Sequence, residues 1–387
     1  MLLFYIQVLL LANCLRYNHP MNLKIKRKII PCFLLAGFLV TACQPAAIAP
    51  LSTAAPTVPS VPSATVKILP TATVTPQPTS TASVDAENQG WCSPGSNIPE
   101  NYQIIGYLPE YRTLEPAWGN CLTDIIFFSL QPLADGKLDT SRLKPDVLKS
   151  LLDVKERHGT RIHISLGGYQ RSDNFAAMAT DAKTRAAFVK NLTDFCLQNN
   201  IDGVDFDWEF PSGVAESSSY IALLKETRAA LNPHGMLVSV ALYPFPDLNV
   251  APYNVADRIH IMSYDRGARH STLEQAVKDV DFFVAGGIPK EKIFLGLPFY
   301  GRRMSGSGNA LTYFEIVEKY FPLPETNEVD NIFFNGRNLV QQKACYARDV
   351  GIGGVMIWEL GQDSVGDFSL LRALYQGATQ GCENLSP

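Results

Sequence analysis

Charge is scarce in this sequence of 387 residues: only 18% are Asp, Glu, Lys or Arg, and 37 acidic against 33 basic residues leave a net charge of −4. That balance excludes the sequence-wide basic stripe on which nucleic-acid binding rests, so no nucleic-acid partner is expected and the ligand is read as uncharged or small. Cysteine is also sparse. The eight present form no CxxC pair and no Cys/His cluster, so no metal site is expected. No GxGxxG follows the first β-rich run, which removes the signature of an open dinucleotide-binding sheet; no cofactor is expected. What the chain does have is hydrophobic content, 46%, enough at this length to bury the core of one or two domains.

The first 88 residues divide into two segments. Met21 opens a second, cleaner start than Met1: Lys24, Lys26, Arg27 and Lys28 form a basic stretch, Ile29 to Val40 an apolar one, and Val40-Thr41-Ala42-Cys43 a small-residue site ending in cysteine. This run resembles a bacterial lipobox, which implies lipidation of Cys43 and a membrane anchor there. An ordinary secretory signal or a short membrane anchor fits the same residues, and all three readings export the rest of the chain, as a cell-surface lipoprotein or a secreted protein. Residues 1–43 are therefore read as a signal region. Residues 44–88 are built of Pro, Thr, Ser, Ala and Val with almost no charge and no hydrophobic period. Such a segment cannot form a core, and its prolines favour an extended spacer.

From residue 89 onward, short β-rich runs alternate with amphipathic segments, the pattern of repeated βα units and a parallel sheet. Eight runs are expected: Gln103–Leu108, Asp124–Leu130, Arg161–Leu166, Gly203–Phe210, Leu237–Leu242, Arg258–Tyr264, Ile293–Phe299 and Gly354–Trp358. Helices are expected between most of them, as at Lys183–Gln198, where Phe188, Leu192 and Phe195 recur at helical spacing. Eight strands in roughly 295 residues suit one closed (β/α)8 TIM barrel of the α/β class.

The fourth run, Asp202-Gly203-Val204-Asp205-Phe206-Asp207-Trp208-Glu209-Phe210, carries the chemistry. Side chains alternate faces along a strand, so Asp205, Asp207 and Glu209 point one way and Val204, Phe206 and Trp208 the other. The apolar set packs under the helices; the acidic set lines the barrel and ends at its C-terminal mouth, where barrel active sites lie. Neighbouring carboxylates about 6–7 Å apart in a low-dielectric interior cannot all stay ionised, so at least one is expected to hold a proton. A protonated acid at neutral pH is what glycosidic cleavage requires. A bare DxDxE also fits a half-exposed antiparallel strand with a solvated acidic face; its place as the fourth of eight βα runs argues for the barrel.

These residues match DGxDxDxE, the signature of glycoside hydrolase family 18, in every fixed position. Ser165-Leu166-Gly167-Gly168, Met262-Ser263-Tyr264-Asp265, Leu297-Pro298-Phe299-Tyr300-Gly301-Arg302 and Gly353-Gly354-Val355-Met356-Ile357-Trp358 resemble four further family motifs, in order and each at the end of an expected strand. The resemblance implies a monomeric, retaining chitinase that cleaves β-1,4-linked N-acetylglucosamine polymers, with the substrate's acetamido group as the nucleophile. It implies Glu209 as acid and then base, Asp207 as the group that orients the acetamido, Asp205 as a carboxyl sharing its proton, and Tyr264 as a donor to the acetamido oxygen. Trp358 is implied as the aromatic floor of the sugar site, with Tyr107, Met262, Asp265, Tyr300 and Arg302 as further substrate contacts. Asp202, of opposite parity, is read as capping the start of the strand.

Two departures limit the transfer. Tyr169 stands where many members have Trp. Only 51 residues separate Arg302 from Gly354, too few for the large α+β insertion of some relatives, so an open groove suited to internal cleavage is expected. A non-catalytic lectin, a peptidoglycan or cortex hydrolase and an N-glycan endoglycosidase remain open alternatives. Cys92, Cys121 and Cys382 are expected near the bottom rim, with a disulfide among them, and Cys196 as a buried free thiol.

Overall fold

The computed structural model describes Cys92, residues 98–306 and residues 308–382. The signal region, Cys43 and the spacer lie outside them. Eight parallel strands follow one another around a ring: β1 (Gln103–Pro109), β2 (Asp124–Pro132), β3 (Arg161–Gly167), β4 (Gly203–Asp207), β5 (Leu237–Leu242), β6 (Arg258–Ile261), β7 (Ile293–Pro298) and β8 (Gly354–Trp358). Each pairs with its neighbour, and β8 returns to β1, closing the barrel. Helices α1 (Pro145–His158), α2 (Phe175–Thr180), α3 (Ala182–Gln198), α4 (Gly213–Leu231), α5 (Leu273–Ala285), α6 (Tyr313–Tyr320), α7 (Arg337–Asp349) and α8 (Leu370–Gln380) form the outer ring.

Strand parity sorts the apolar side chains into two cores. Ile104, Ile125, Phe127, Val204, Phe206, Val355 and Ile357 face outward into the layer beneath the helices, whereas Ile105, Tyr107, Ile126, Phe128, Phe294 and Met356 fill the interior. At the N-terminal end of the barrel, buried Asp124 accepts hydrogen bonds from Arg258 (2.9 Å) and Arg161 (2.9 Å) and sits 2.8 Å from His163 Nε2. Charge there is neutralised inside the protein, which burial demands. The open end is left for chemistry.

All eight expected strands are present, Leu237–Leu242 and Gly354–Trp358 with the expected bounds and the others with shifted ends. The largest shifts, three residues each, are in β4, which stops at Asp207, and β6, which stops at Ile261, so Trp208 and Glu209 leave the ladder at the mouth. Two short helices, α2 and α6, were not foreseen. Between β7 and α7 lies a small antiparallel sheet of Tyr300–Arg303, Leu311–Thr312, Glu328–Val329 and Ile332–Phe333, with α6 beside it. It is a modest addition, and no large α+β domain stands among the described residues.

The cysteines depart from expectation in part. Cys92 pairs with Cys121, but Cys382 pairs with Cys345 of α7. The bond Cys345 makes follows from the packing of α7 on α8, which brings the last described turn back to the outer face. Cys196 is a buried free thiol, and burial pushes it up to about 12, which leaves it unreactive. Sequence separations of 29 and 37 make each bridge worth about 3–4 kcal/mol through the unfolded chain's lost freedom.

Candidate active site

The three acidic residues sit in graded environments. Asp205 is fully buried and in register with Ser165 and Ser239 on the flanking strands. Its oxygens accept from Tyr107 (2.8 Å), Ser165 (3.1 Å) and Ser239 (2.6 Å), and His260 Nδ1 lies 3.2 Å away. Burial alone would raise this carboxyl; His260, Ser239 and Tyr107 overcome it and hold it below the usual carboxylate range. Asp207, the next inward residue, is buried with an Oδ1 that has no hydrogen-bond partner. Burial first, then the charges of Glu209 and Asp205, push it well above the usual range. Glu209 is half-buried, and burial followed by the charge of Asp265 raises it to about 7.

The expected sharing of a proton between Asp205 and Asp207 therefore takes an unequal form. Asp205 has its donors already and is held low, whereas Asp207, with no partner for its Oδ1, is the carboxyl pushed up. A carboxyl held low at the floor, one pushed up above it and an acid poised near neutrality follow from one alternating strand in a dry barrel.

Glu209 and Asp207 face a cavity of about 570 Å³, whose wall also holds Met262, Tyr264, Asp265, Arg302 and Trp358. Seven of the ten expected catalytic and substrate-contacting residues thus meet in one place. The other three lie a layer deeper. Asp205 and Tyr107 are beneath Asp207, and Tyr300 donates to Asp265 Oδ1 at 2.7 Å. The hydroxyls of Tyr107 and Tyr300, both expected to contact the sugar, donate to the carboxylates of Asp205 and Asp265. Asp265 is also gripped by Nε and Nη2 of Arg302, with Nη2 at 2.6 Å from Oδ2. Burial would raise it, but His270, Arg302 and Tyr300 bring it to about 2, so it is a fixed negative charge beside the acid.

Glycine is required where β3 ends. Gly167 has φ +95°, and a Cβ there would lie 2.5 Å from the carbonyl oxygen of Asp207. At Gly168, φ +96°, it would lie 2.1 Å from the Phe128 ring. No other residue allows the strand to pass so close to the acidic one. Asp202 caps the start of β4 as expected: its carboxylate accepts from the Ile162 amide and pairs with Lys155.

Sequence reasoning missed Tyr111, Phe128, Arg171, Phe210 and Tyr243, all on the cavity wall. Phe128 stands edge-on to Trp358 at 4.6 Å between centroids and is covered by Arg171, whose guanidinium is held by Glu110. Its inward parity on β2 was the available signal. Tyr169 stands at the rim, 74% exposed. Among the described residues no group of three or more His, Cys, Asp or Glu could hold a metal.

The sequence model of the family described as Glycosyl hydrolases family 18 matches residues 103–363, a span that contains all five motifs and two thirds of the chain. The chain belongs to this family. Chitinase 1 of Aphanocladium album is 27% identical over 283 residues, covering 58% of this chain and 66% of that protein. Endochitinase 1 of Metarhizium robertsii is 25% identical over 280 residues, covering 56% and 65%. The family 18 chain thus spans about two thirds of the length of these relatives. Among solved structures, the GH18 chitinase ChiB from the chitin utilization locus of Flavobacterium johnsoniae superposes with a TM-score of 0.62 at 29% identity, covering 72% of this chain and 94% of that one. A chitinase from Bacteroides thetaiotaomicron gives 0.66 at 23% identity over 74% and 99%, a likeness of fold.

Proposed function

We propose that this family 18 domain is a retaining glycoside hydrolase that cleaves β-1,4-linked N-acetylglucosamine polymers with the substrate's acetamido group as nucleophile. The observation that carries the reading is the pair of raised carboxyls on one cavity wall: Glu209 raised to about 7, and buried Asp207 raised further. Glu209, protonated near neutral pH, gives its proton to the leaving oxygen and later takes one from water. Asp207 and the Tyr264 hydroxyl hold the acetamido group against C1, and as the oxazolinium forms Asp207 passes its proton to the neighbouring Asp205 carboxylate and takes on the negative charge. Retention follows from two displacements at one carbon. The indole of Trp358 offers an apolar floor to the sugar, and Met262 and Arg302 complete the wall.

Because the acetamido group is a reactant, N-acetylated chitooligosaccharides should be cleaved, and cellulose or fully deacetylated chitosan should not. A thiazoline analogue of the cyclic intermediate should inhibit competitively and more tightly than substrate binds. Cleavage of cellulose at a comparable rate would remove the acetamido group from the mechanism. Peptidoglycan and a high-mannose glycopeptide in the same assay separate the alternative N-acetylglucosamine substrates.

We also read the chain as an exported monomer, lipid-anchored through Cys43. The lipobox-like run supports this, as do the two disulfides, which suit an oxidising compartment. Metabolic labelling with palmitate should mark the protein and be lost in Cys43→Ala; equal labelling of both would refute the anchor.

A further inference from the structure

The turn that leaves β6 carries two of the site's residues, Tyr264 and Asp265, and Asp265 holds a left-handed backbone, φ +64°, that a non-glycine residue keeps only when its surroundings enforce it. From the front, Asp265 is gripped by Arg302 and Tyr300. The back of the turn is held by something the reaction does not use. Ser263, of opposite parity to Tyr264, donates to Asp279 of α5 at 2.6 Å, and Arg266 reaches the same carboxylate oxygen. The carbonyl of Ser263, which belongs to the peptide that leads into Tyr264, accepts from Ser271 Oγ at 2.8 Å. Ser271 in turn receives Lys343 Nζ on its hydroxyl (2.8 Å) and its carbonyl (2.9 Å), and the third proton of the ammonium goes to Asn335 Oδ1 (2.7 Å). Asn335 Nδ2 returns to the Ser271 carbonyl at 2.8 Å.

Lys343, on α7, is fully buried. No carboxylate is hydrogen-bonded to it, and burial lowers it to about 7. A buried ammonium is costly, and an apolar side chain of the same length would pack there at less expense. What the ammonium adds is three directed donors, two of which converge on Ser271, the residue that fixes the Ser263 carbonyl.

We propose that Lys343 is a positioning residue for the reaction: through Ser271 it locks the Ser263–Asp265 turn, so that the Tyr264 hydroxyl and the Asp265 carboxylate face the reacting sugar. The proposal rests on the acetamido-assisted reading above, in which Tyr264 must meet the acetamido oxygen. Its range is set by the sensitivity of oriented catalysis to small displacements, where a shift of about 1 Å costs on the order of a hundredfold.

The test is Lys343→Met in the full chain, with chitooligosaccharide kinetics, thiazoline inhibition and thermal melting measured together. We expect kcat to fall about ten- to a hundredfold, KM to stay within about twofold, and thiazoline affinity to fall in step with kcat/KM, at an unchanged or raised melting temperature. A purely structural lysine would move the melting temperature and leave kcat and inhibitor affinity of the folded enzyme alone; that result overturns the proposal. Should the Met variant not fold, Ser271→Ala, which deletes one hydroxyl, takes its place: wild-type kcat and inhibitor affinity there overturn the proposal equally. A wild-type enzyme that cleaves no N-acetylated oligosaccharide defeats the functional reading itself, whereas an active wild type with an equally active Lys343→Met defeats only the role of Lys343.

Discussion

Glu209→Gln should lower kcat on N-acetylated chitooligosaccharides by about three powers of ten and leave KM near the wild-type value. A positioned general acid contributes about 10²–10⁴-fold, and the amide keeps the shape of the carboxyl without its proton. The Glu209 backbone is anchored by its amide, which donates to Ser172 Oγ at 3.0 Å, and the substitution leaves that support intact. The wild-type pH profile should carry the same signature. Glu209 acts in its protonated form, and burial together with the charge of Asp265 sets it near 7; kcat/KM should therefore fall as pH rises through about 7. In the Gln variant that basic limb should vanish from the residual rate. Near-native turnover by Glu209→Gln would mean that the leaving oxygen takes its proton from elsewhere.

The barrel and the acidic triad were legible in the sequence for the same reason. Parallel strands covered on both sides must be apolar at almost every position, so three carboxylates at alternate positions of one such strand stand out against it. Their outward partners Val204, Phe206 and Trp208 are packed under the helices, which fixes the direction of the other three. The extent of β4 was not legible, because Trp208 and Glu209 continue the alternation after the hydrogen-bonded ladder has ended at Asp207. The small sheet was hidden by its size: strands such as Leu311–Thr312 and Ile332–Phe333 are too short to show a period. Arg171 and Tyr243 escaped because they lie on loops that meet only in space, and the Arg171 grip on Phe128 of β2 depends on Glu110, 61 residues earlier. Lys343 gave no signal either. A lysine in an amphipathic helix reads as solvent-facing, and only the packed structure turns it inward.

Asp207→Asn should do two opposite things, raise the melting temperature at pH 7 and lower kcat by about two to three powers of ten. Both effects come from the burial of this carboxyl between Asp205 and Glu209. Burial and those two neighbours push Asp207 well above its ordinary value of 3.8, so between 3.8 and the raised value the folded protein keeps a proton that the unfolded chain releases. Each step up in pH across that window favours the unfolded state, so the cost grows from 3.8 toward the raised value. An asparagine has no proton to release and is spared the cost. The melting-temperature advantage of Asp207→Asn should therefore widen from pH 4 toward pH 7 and shrink to little at pH values below 3.8. Catalysis loses because the amide cannot take on negative charge as the oxazolinium forms, and for the same reason thiazoline affinity should fall by a larger factor than KM rises. A melting-temperature difference that does not change between pH 4 and pH 7 would show that Asp207 is ionised in the free enzyme. A variant with wild-type kcat would show that the charge on the intermediate is met by another group.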